Sequence, residues 1–309
     1  MKQVKVLYFA GWGRSGTTLL GNILGQLDGY HNVGELYYLW DRGLQDGQPC
    51  GCGETLHECP VWREVGNRAF GGWNKVDAER FKVLRNQGLR TRHLPTLRFE
   101  SSRQRVLDRT VEFREALARL YRAIVDVTGC EVIVDTSKFP SYAYLLGHCP
   151  GIELSTVHLV RDPRAVAYSW WSRSEKMTSL ETGQVRNIHK HHPLTSSILW
   201  NAWNQLLQQQ WKRESLPYQL VNYEQFMREP EPTVRSIAEF AKHVPDHLPF
   251  VSSHEVRVET CHSVSGNPNR FRQGNIKLRL DNEWETKMSS RMRLLVSAVT
   301  LLNRPAFGY

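Results

Sequence analysis

The chain has 309 residues, 40% of them apolar, and a formal net charge of +9. It can bury a sizeable core and sits at the upper edge of what one domain holds, so a single domain over 1–309 with insertions is expected. No apolar run approaches the roughly 18 residues of a membrane span, and the opening MKQVKVLYFAGWG lacks a signal-peptide layout; a cytoplasmic protein without stable membrane insertion follows as the expectation. The basic balance favours an anionic ligand.

Residues 4 to 10, VKVLYFA, form a nearly continuous apolar run that suits a parallel strand covered on both faces. GWGRSG follows, and then Leu19, Leu20, Ile23, Leu24 and Leu27 recur at helical spacing, so the opening reads strand, Gly-rich loop, helix. Residues 41 to 128 interrupt this pattern. A Gly- and Cys-rich turn leads into AERFKVLRNQGLR and EFREALARLYRAIVDV, both helical in period, which predicts a helical cap inserted after the first unit. Its arginines interleave with Glu79, Glu100, Asp108, Glu112 and Glu115, the pattern of a solvated helix face, so no nucleic-acid partner is expected.

Cys50, Cys52 and Cys59 cluster in that turn. Zinc held by these three with His57 is one reading, but the spacing fits no standard finger pattern, and reduced structural cysteines in a turn are preferred. No metal is therefore assigned. Strand-like EVIVD (131–135), STVHLV (155–160) and YQLVNY (218–223) resume the alternation. The whole predicts an α/β fold, a P-loop-like doubly wound parallel sheet flanked by helices, with its ligand beyond the carboxyl ends of the strands. The irregular segment 174–197 is long enough to suggest a mobile functional loop.

The opening loop keeps the Gly11 to Gly16 spacing of a nucleotide triphosphatase loop but has Thr17 and Thr18 where the lysine belongs. Backbone N–H groups of such a turn, with the positive end of the next helix, bind a tetrahedral oxyanion whatever its central atom. GRSGTTLL resembles the 5′-phosphosulfate loop of sulfotransferases that use 3′-phosphoadenosine-5′-phosphosulfate (PAPS), particularly the branch of tyrosylprotein and carbohydrate sulfotransferases. HLVRDPRAVAYSW (158–170) is similar to that family's 3′-phosphate signature. The resemblance implies cofactor contacts from Arg14, Ser15, Gly16, Thr17 and Thr18 in the loop, and from Arg161 and Ser169 in the second motif. Arg173, one turn beyond Ser169, is placed to add a cation. VDTSKFP nominates Lys138 as an electrophilic helper, LVNYEQF nominates Tyr223 on the adenine side, and SGNPNRFRQGNIKLRLDNEW implies an Arg-x-Gly closure by Arg272 and Gly274.

Sulfuryl transfer to an alcohol also needs a base. Glu35, inside a Gly-Glu pair, matches the base of the tyrosylprotein branch, and Glu35, Lys138 and Arg14 are the catalytic candidates. Histidine is the alternative base, from His31, His189, His191, His192 or His262. Asp135 is read as a strand-end residue orienting the Ser137–Lys138 turn rather than as a Walker B carboxylate. The implied activity is transfer of the PAPS sulfuryl group, without metal, to a hydroxyl of a small-molecule, glycan or lipid acceptor. An ATP- and magnesium-dependent small-molecule kinase is the competing enzyme class, and a non-catalytic anion-binding module the third. The cap and the 174–197 segment, unmatched by the resemblance, are the expected acceptor contacts.

Overall fold

The computed structural model describes residues 3–88, 90–172, 176–178, 185–187 and 190–309. In chain order, β1 (Val4–Ala10) leads into α1 (Thr17–Leu24) and β2 (Tyr30–Gly34). After a 3-10 turn and a π-helical turn come α2 (Pro60–Phe70), α3 (Ala78–Gly88), α4 (Glu100–Arg109) and α5 (Val111–Thr128). Then β3 (Val132–Lys138), α6 (Pro140–Gly147), β4 (Ile152–Val160) and α7 (Pro163–Ser172) alternate. A short antiparallel pair, β5 (Lys176–Thr178) and β6 (Val185–Asn187), precedes α8 (Pro193–Glu214), β7 (Tyr218–Asn222), α9 (Tyr223–Arg228) and α10 (Pro230–Phe240). The chain ends with an antiparallel sheet, β8 (Phe250–Ser252), β9 (Glu255–Val258) and β10 (Gly274–Lys277), and two helices, α11 (Glu283–Lys287) and α12 (Ser290–Thr300).

The five-stranded sheet has the order β2-β3-β1-β4-β7 and is parallel throughout. The apolar run of β1 explains its central place. Val4, Val6, Tyr8 and Ala10 enter one core with α5, α6 and the Trp40, Trp62 and Trp73 side chains, while Leu7 and Phe9 enter the other with α1, α9 and α10. Side chains that alternate on a strand thus fill two separate layers, which is why nearly every position must be apolar. The chain leaves β1 toward β3 and β2, then crosses back to β4 and β7. The topological switch therefore lies between β1 and β4, where open α/β sheets bind ligands.

Two expectations change. Helix α5 is not confined to a cap: its Phe113, Leu117, Leu120, Tyr121 and Ile124 stripe belongs to the core of β1 and β3, and Tyr121 O–H donates to Asp135 of β3. The amphipathic period revealed a buried face but not the surface it buries. The predicted 174–197 loop ends earlier, because α8 starts at Pro193, whose fixed φ suits a first helical turn; residues 174–175, 179–184 and 188–189 lie outside the described residues. No helix of the described residues is long and apolar enough to cross a membrane.

Candidate active site

Every strand of the parallel sheet delivers a side chain or loop from its carboxyl end into one cavity of about 500 Å³. Glu35 follows β2, Lys138 ends β3, the Gly11–Thr18 loop follows β1, Arg161 follows β4 and Tyr223 follows β7. The sequence-predicted residues Arg14, Gly16, Thr17, Thr18, Glu35, Lys138, Arg161, Ser169 and Tyr223 all line it.

The loop is held close to its neighbours. A Cβ at Gly16, where φ is +91°, would sit 2.6 Å from the Tyr223 ring. One at Gly11 (φ +136°) would sit 2.5 Å from the Leu159 carbonyl oxygen. Both positions combine left-handed backbone with contact distances that only glycine meets. Helix α1 then begins at Thr17 with no side-chain cap, so its first N–H groups are not satisfied by a capping side chain. Arg14 Nε donates to Ser169 Oγ at 3.0 Å, joining the loop to α7. Arg161 donates to the carbonyls of Arg14 (3.3 Å) and Asp281 (2.8 Å), pairs with the Asp281 carboxylate at 3.1 Å and stacks over Tyr223. Its buried Nε has no partner among the described residues. A buried charged donor in that condition is costly unless an anion completes it. Ser15 is different: its hydroxyl donates to the Trp12 carbonyl at 2.7 Å, bracing the loop from within, and it does not line the cavity.

Lys138 Nζ donates to Glu35 Oε1 and, at 3.0 Å, to the Thr136 carbonyl. Lys138 itself has φ +73°, a conformation that costs a bulky residue energy and is retained at functional turns. The turn is fixed from beneath by Asp135, whose Oδ1 accepts the Ser137 N–H at 2.8 Å, while Ser137 Oγ accepts the Tyr37 N–H at 2.9 Å. Asp135 is fully buried, and burial pushes its carboxyl up to about 6. It orients the turn and does not reach the cavity. Glu35 is placed by its own N–H, which donates to the Val264 carbonyl at 2.7 Å, and Gly266 packs against its carboxylate.

Much of the remaining lining is aromatic, from Trp12, Phe139, Trp170 and Trp203, with Trp12 and Trp203 centroids 5.1 Å apart. The buried Nε1 atoms of Trp12 and Trp170 lack partners among the described residues. Tyr38 and Arg42 also line the cavity, with the guanidinium 3.5 Å above the phenol ring, and burial raises the Tyr38 phenol. Neither was singled out by the sequence, because Tyr38 ends a 3-10 turn and Arg42 lies in the π-helical turn that follows, neither of which carries a motif.

The histidines separate cleanly. His191 lines the cavity between Trp12 and Trp170. His192 caps α8 by accepting the Leu194 N–H at 3.3 Å. His31 is half-buried on β2, where desolvation of its ring and then His262 push it down to about 4. His262 sits beside Cys50 and Cys59. His189 and Arg173 lie outside the described residues. Arg272 and Gly274 do not line the cavity. The 3-10 turn Pro268–Phe271, capped by Asn267, directs Asn267 and Asn269 there instead, and Arg272 leaves it extended and exposed.

Comparison with known proteins bears on the fold and the family. The chain resembles the sulfotransferase domain of the curacin biosynthetic pathway (TM-score 0.51, 15% identity, covering 97% of this chain and 99% of that one). A sulfotransferase domain from the Synechococcus PCC 7002 olefin synthase aligns over 100% of this chain and 96% of its own (TM-score 0.49, 19% identity). No curated protein matches the sequence. The profile of the sulfotransferase family matches residues 7–244, from β1 through α10. The chain therefore belongs to the sulfotransferase family.

Proposed function

We propose that the protein transfers the sulfuryl group of PAPS to the hydroxyl of a carbohydrate, lipid or secondary metabolite, with Glu35 as general base and without metal. The observation that carries this reading is the convergence in one cavity of the Glu35–Lys138 pair with an uncapped helix start and an Arg161 Nε that has no partner among the described residues. Oxyanions at both ends of a 3′,5′-bisphosphorylated nucleotide would complete those donors. The loop from Gly11 to Thr18 and Arg14 would hold the 5′-phosphosulfate end, Arg161 and Ser169 the 3′-phosphate, and Tyr223 the nucleoside.

PAPS, as substrate, supplies an activated sulfur whose bond to the 5′-phosphate oxygen breaks, with its electron pair, as the acceptor oxygen bonds to sulfur. The chain's task is then positioning and charge stabilisation. Lys138 holds Glu35 Oε1, leaving Oε2 as the atom that takes the acceptor's proton. The Lys138 ammonium, fixed by the Thr136 carbonyl, and the Thr17 and Thr18 hydroxyls stand where negative charge develops. The tryptophan wall suits an acceptor with an apolar or sugar-ring face.

Calorimetric titration with 3′-phosphoadenosine-5′-phosphate, and separately with magnesium ATP, tests the donor. Micromolar binding of the first without metal and little of the second is expected; the reverse preference would show that the loop serves a kinase. An acceptor screen with labelled PAPS then follows.

A further inference from the structure

The cysteine-rich turn is completed by a residue that the sequence places far away. Cys50, Cys52, Cys59 and His262 each offer one ligand atom, and all four atoms lie within 4.8 Å of one another. His262 Nδ1 is 3.2 Å from Cys59 Sγ and 3.8 Å from Cys50 Sγ. We propose that these four side chains form a structural zinc site. Zinc with thiolates at about 2.3 Å in a tetrahedron sets its sulfur atoms about 3.8 Å apart, so the observed group needs only a small contraction. Three soft thiolates and one imidazole, with no open position, are the donor set of a closed zinc centre rather than of a magnesium or calcium site. His57, the histidine nearest in sequence, is exposed and takes no part.

The surroundings are built to bring the two segments together. Cys50 N–H donates to the Glu54 carbonyl at 2.7 Å and Gly53 N–H to the Cys50 carbonyl at 2.9 Å, a tight turn that turns back on Cys52. Gly51 donates to the Ser263 carbonyl at 3.0 Å, and a Cβ there would lie 2.1 Å from the Cys261 carbonyl oxygen, so only glycine permits this crossing. Trp62 Nε1 donates to the His262 carbonyl at 2.9 Å. Arg270 bridges the carbonyls of Ser263 (2.7 Å) and Pro49 (2.6 Å). The ion would fasten the 261–265 crossing to the start of α2, and this crossing carries the Val264 carbonyl that positions Glu35. The site is independent of the sulfuryl-transfer reading and can be tested without any turnover.

The full chain is produced with zinc in the medium, purified without chelators or metal-affinity resin, and analysed for metal by mass spectrometry. About one zinc per chain is expected, lost in Cys59→Ser and in His262→Gln and retained in Cys130→Ser, whose thiol lies outside the group. Should Cys59→Ser fail to fold, Cys52→Ser, at the half-buried edge of the cluster, serves instead. Cobalt(II) in place of zinc should give the thiolate charge-transfer band and intense tetrahedral bands, with the charge-transfer band weaker in Cys52→Ser. Wild-type protein that is metal-free, takes up neither zinc nor cobalt, and has thiols equally reactive with and without added metal would overturn the proposal. So would a Cys50–Cys59 disulfide in the isolated protein.

Discussion

The two walls of the cavity are encoded in different ways. The wall proposed to bind the anion comes from two short stretches, 11–18 and 161–169, each at a strand-to-helix junction. The facing wall takes Tyr38 from a 3-10 turn and Arg42 from the π-helical turn after it, Trp203 from α8, and Gly266, Asn267 and Asn269 from the far end of the chain. Main-chain recognition of an oxyanion needs particular backbone angles over a few consecutive residues, and glycines mark them locally. Recognition of an acceptor body needs only surfaces in contact, which distant segments can supply without leaving a motif.

The largest expected effect falls where the walls meet. Glu35→Gln keeps the hydrogen-bonding shape and removes the proposed proton acceptor, so turnover should fall about 10²- to 10⁴-fold. Affinity for 3′-phosphoadenosine-5′-phosphate should stay within a few-fold, as read by calorimetry beside single-turnover kinetics. Unchanged turnover would move the base to His191, the one described histidine that lines the cavity.

Next is the anion-binding wall alone. Arg161→Ala removes a buried, forked donor, a loss of about 1.5–3 kcal/mol or roughly 10- to 100-fold in bisphosphate affinity. The acceptor KM should move far less. A loss shared equally by donor and acceptor would mean that Arg161 acts through the fold, by its bonds to Arg14 and Asp281, rather than through the nucleotide.

Beneath that wall lies His158, fully buried, with Nδ1 2.6 Å from the Tyr218 hydroxyl and Nε2 2.9 Å from Asn204 Oδ1. Burial pushes it down to about 4. Its unfolded value is about 6.5, so above that pH both states are neutral and its contribution is intact. As pH falls from about 6.5 to 4, the unfolded chain takes up a proton that the folded chain refuses, and stability is lost. At pH 5.5 this amounts to about 1 kcal/mol. Asp135, pushed up to about 6, works the other way over the lower part of that window. The informative quantity is therefore the difference in thermal midpoint between wild type and His158→Gln across pH 7 to 5, which should narrow as the pH falls. Because a Cβ at Gly11 would touch the His158 ring at 3.5 Å, this titration reports on the floor of the loop.

What the sequence disclosed follows the same division. The four strands β1, β3, β4 and β7 were legible because each is apolar and bounded by a turn. Strand β2, YHNVG, was not, since a five-residue edge strand with His31 and Asn32 has too little apolar pattern. Glu35 was nonetheless found, through the Gly-Glu pair that ends that strand. Arg272 and Gly274 matched an Arg-x-Gly pattern, but the 3-10 turn before them decides which side chains face inward. His262 could not be joined to Cys59 across 203 positions by any local spacing rule.

The smallest effect separates the walls most directly. Arg42 lies over Tyr38 and donates to Ser265 Oγ at 3.2 Å, contacts that hold its charge on the facing wall. Arg42→Lys keeps the charge but loses the planar stacking and the fixed fork. A cation over an aromatic ring at a partly exposed site contributes about 0.5–1 kcal/mol, which corresponds to a two- to fivefold rise in acceptor KM. Bisphosphate affinity should be unchanged, because among the described residues the Arg42 guanidinium contacts Tyr38 and Ser265 on the facing wall rather than the loop or Arg161. If instead the variant weakens the nucleotide and spares the acceptor, the π-helical turn belongs to the donor side, and the acceptor must be sought along the tryptophans of α7 and α8.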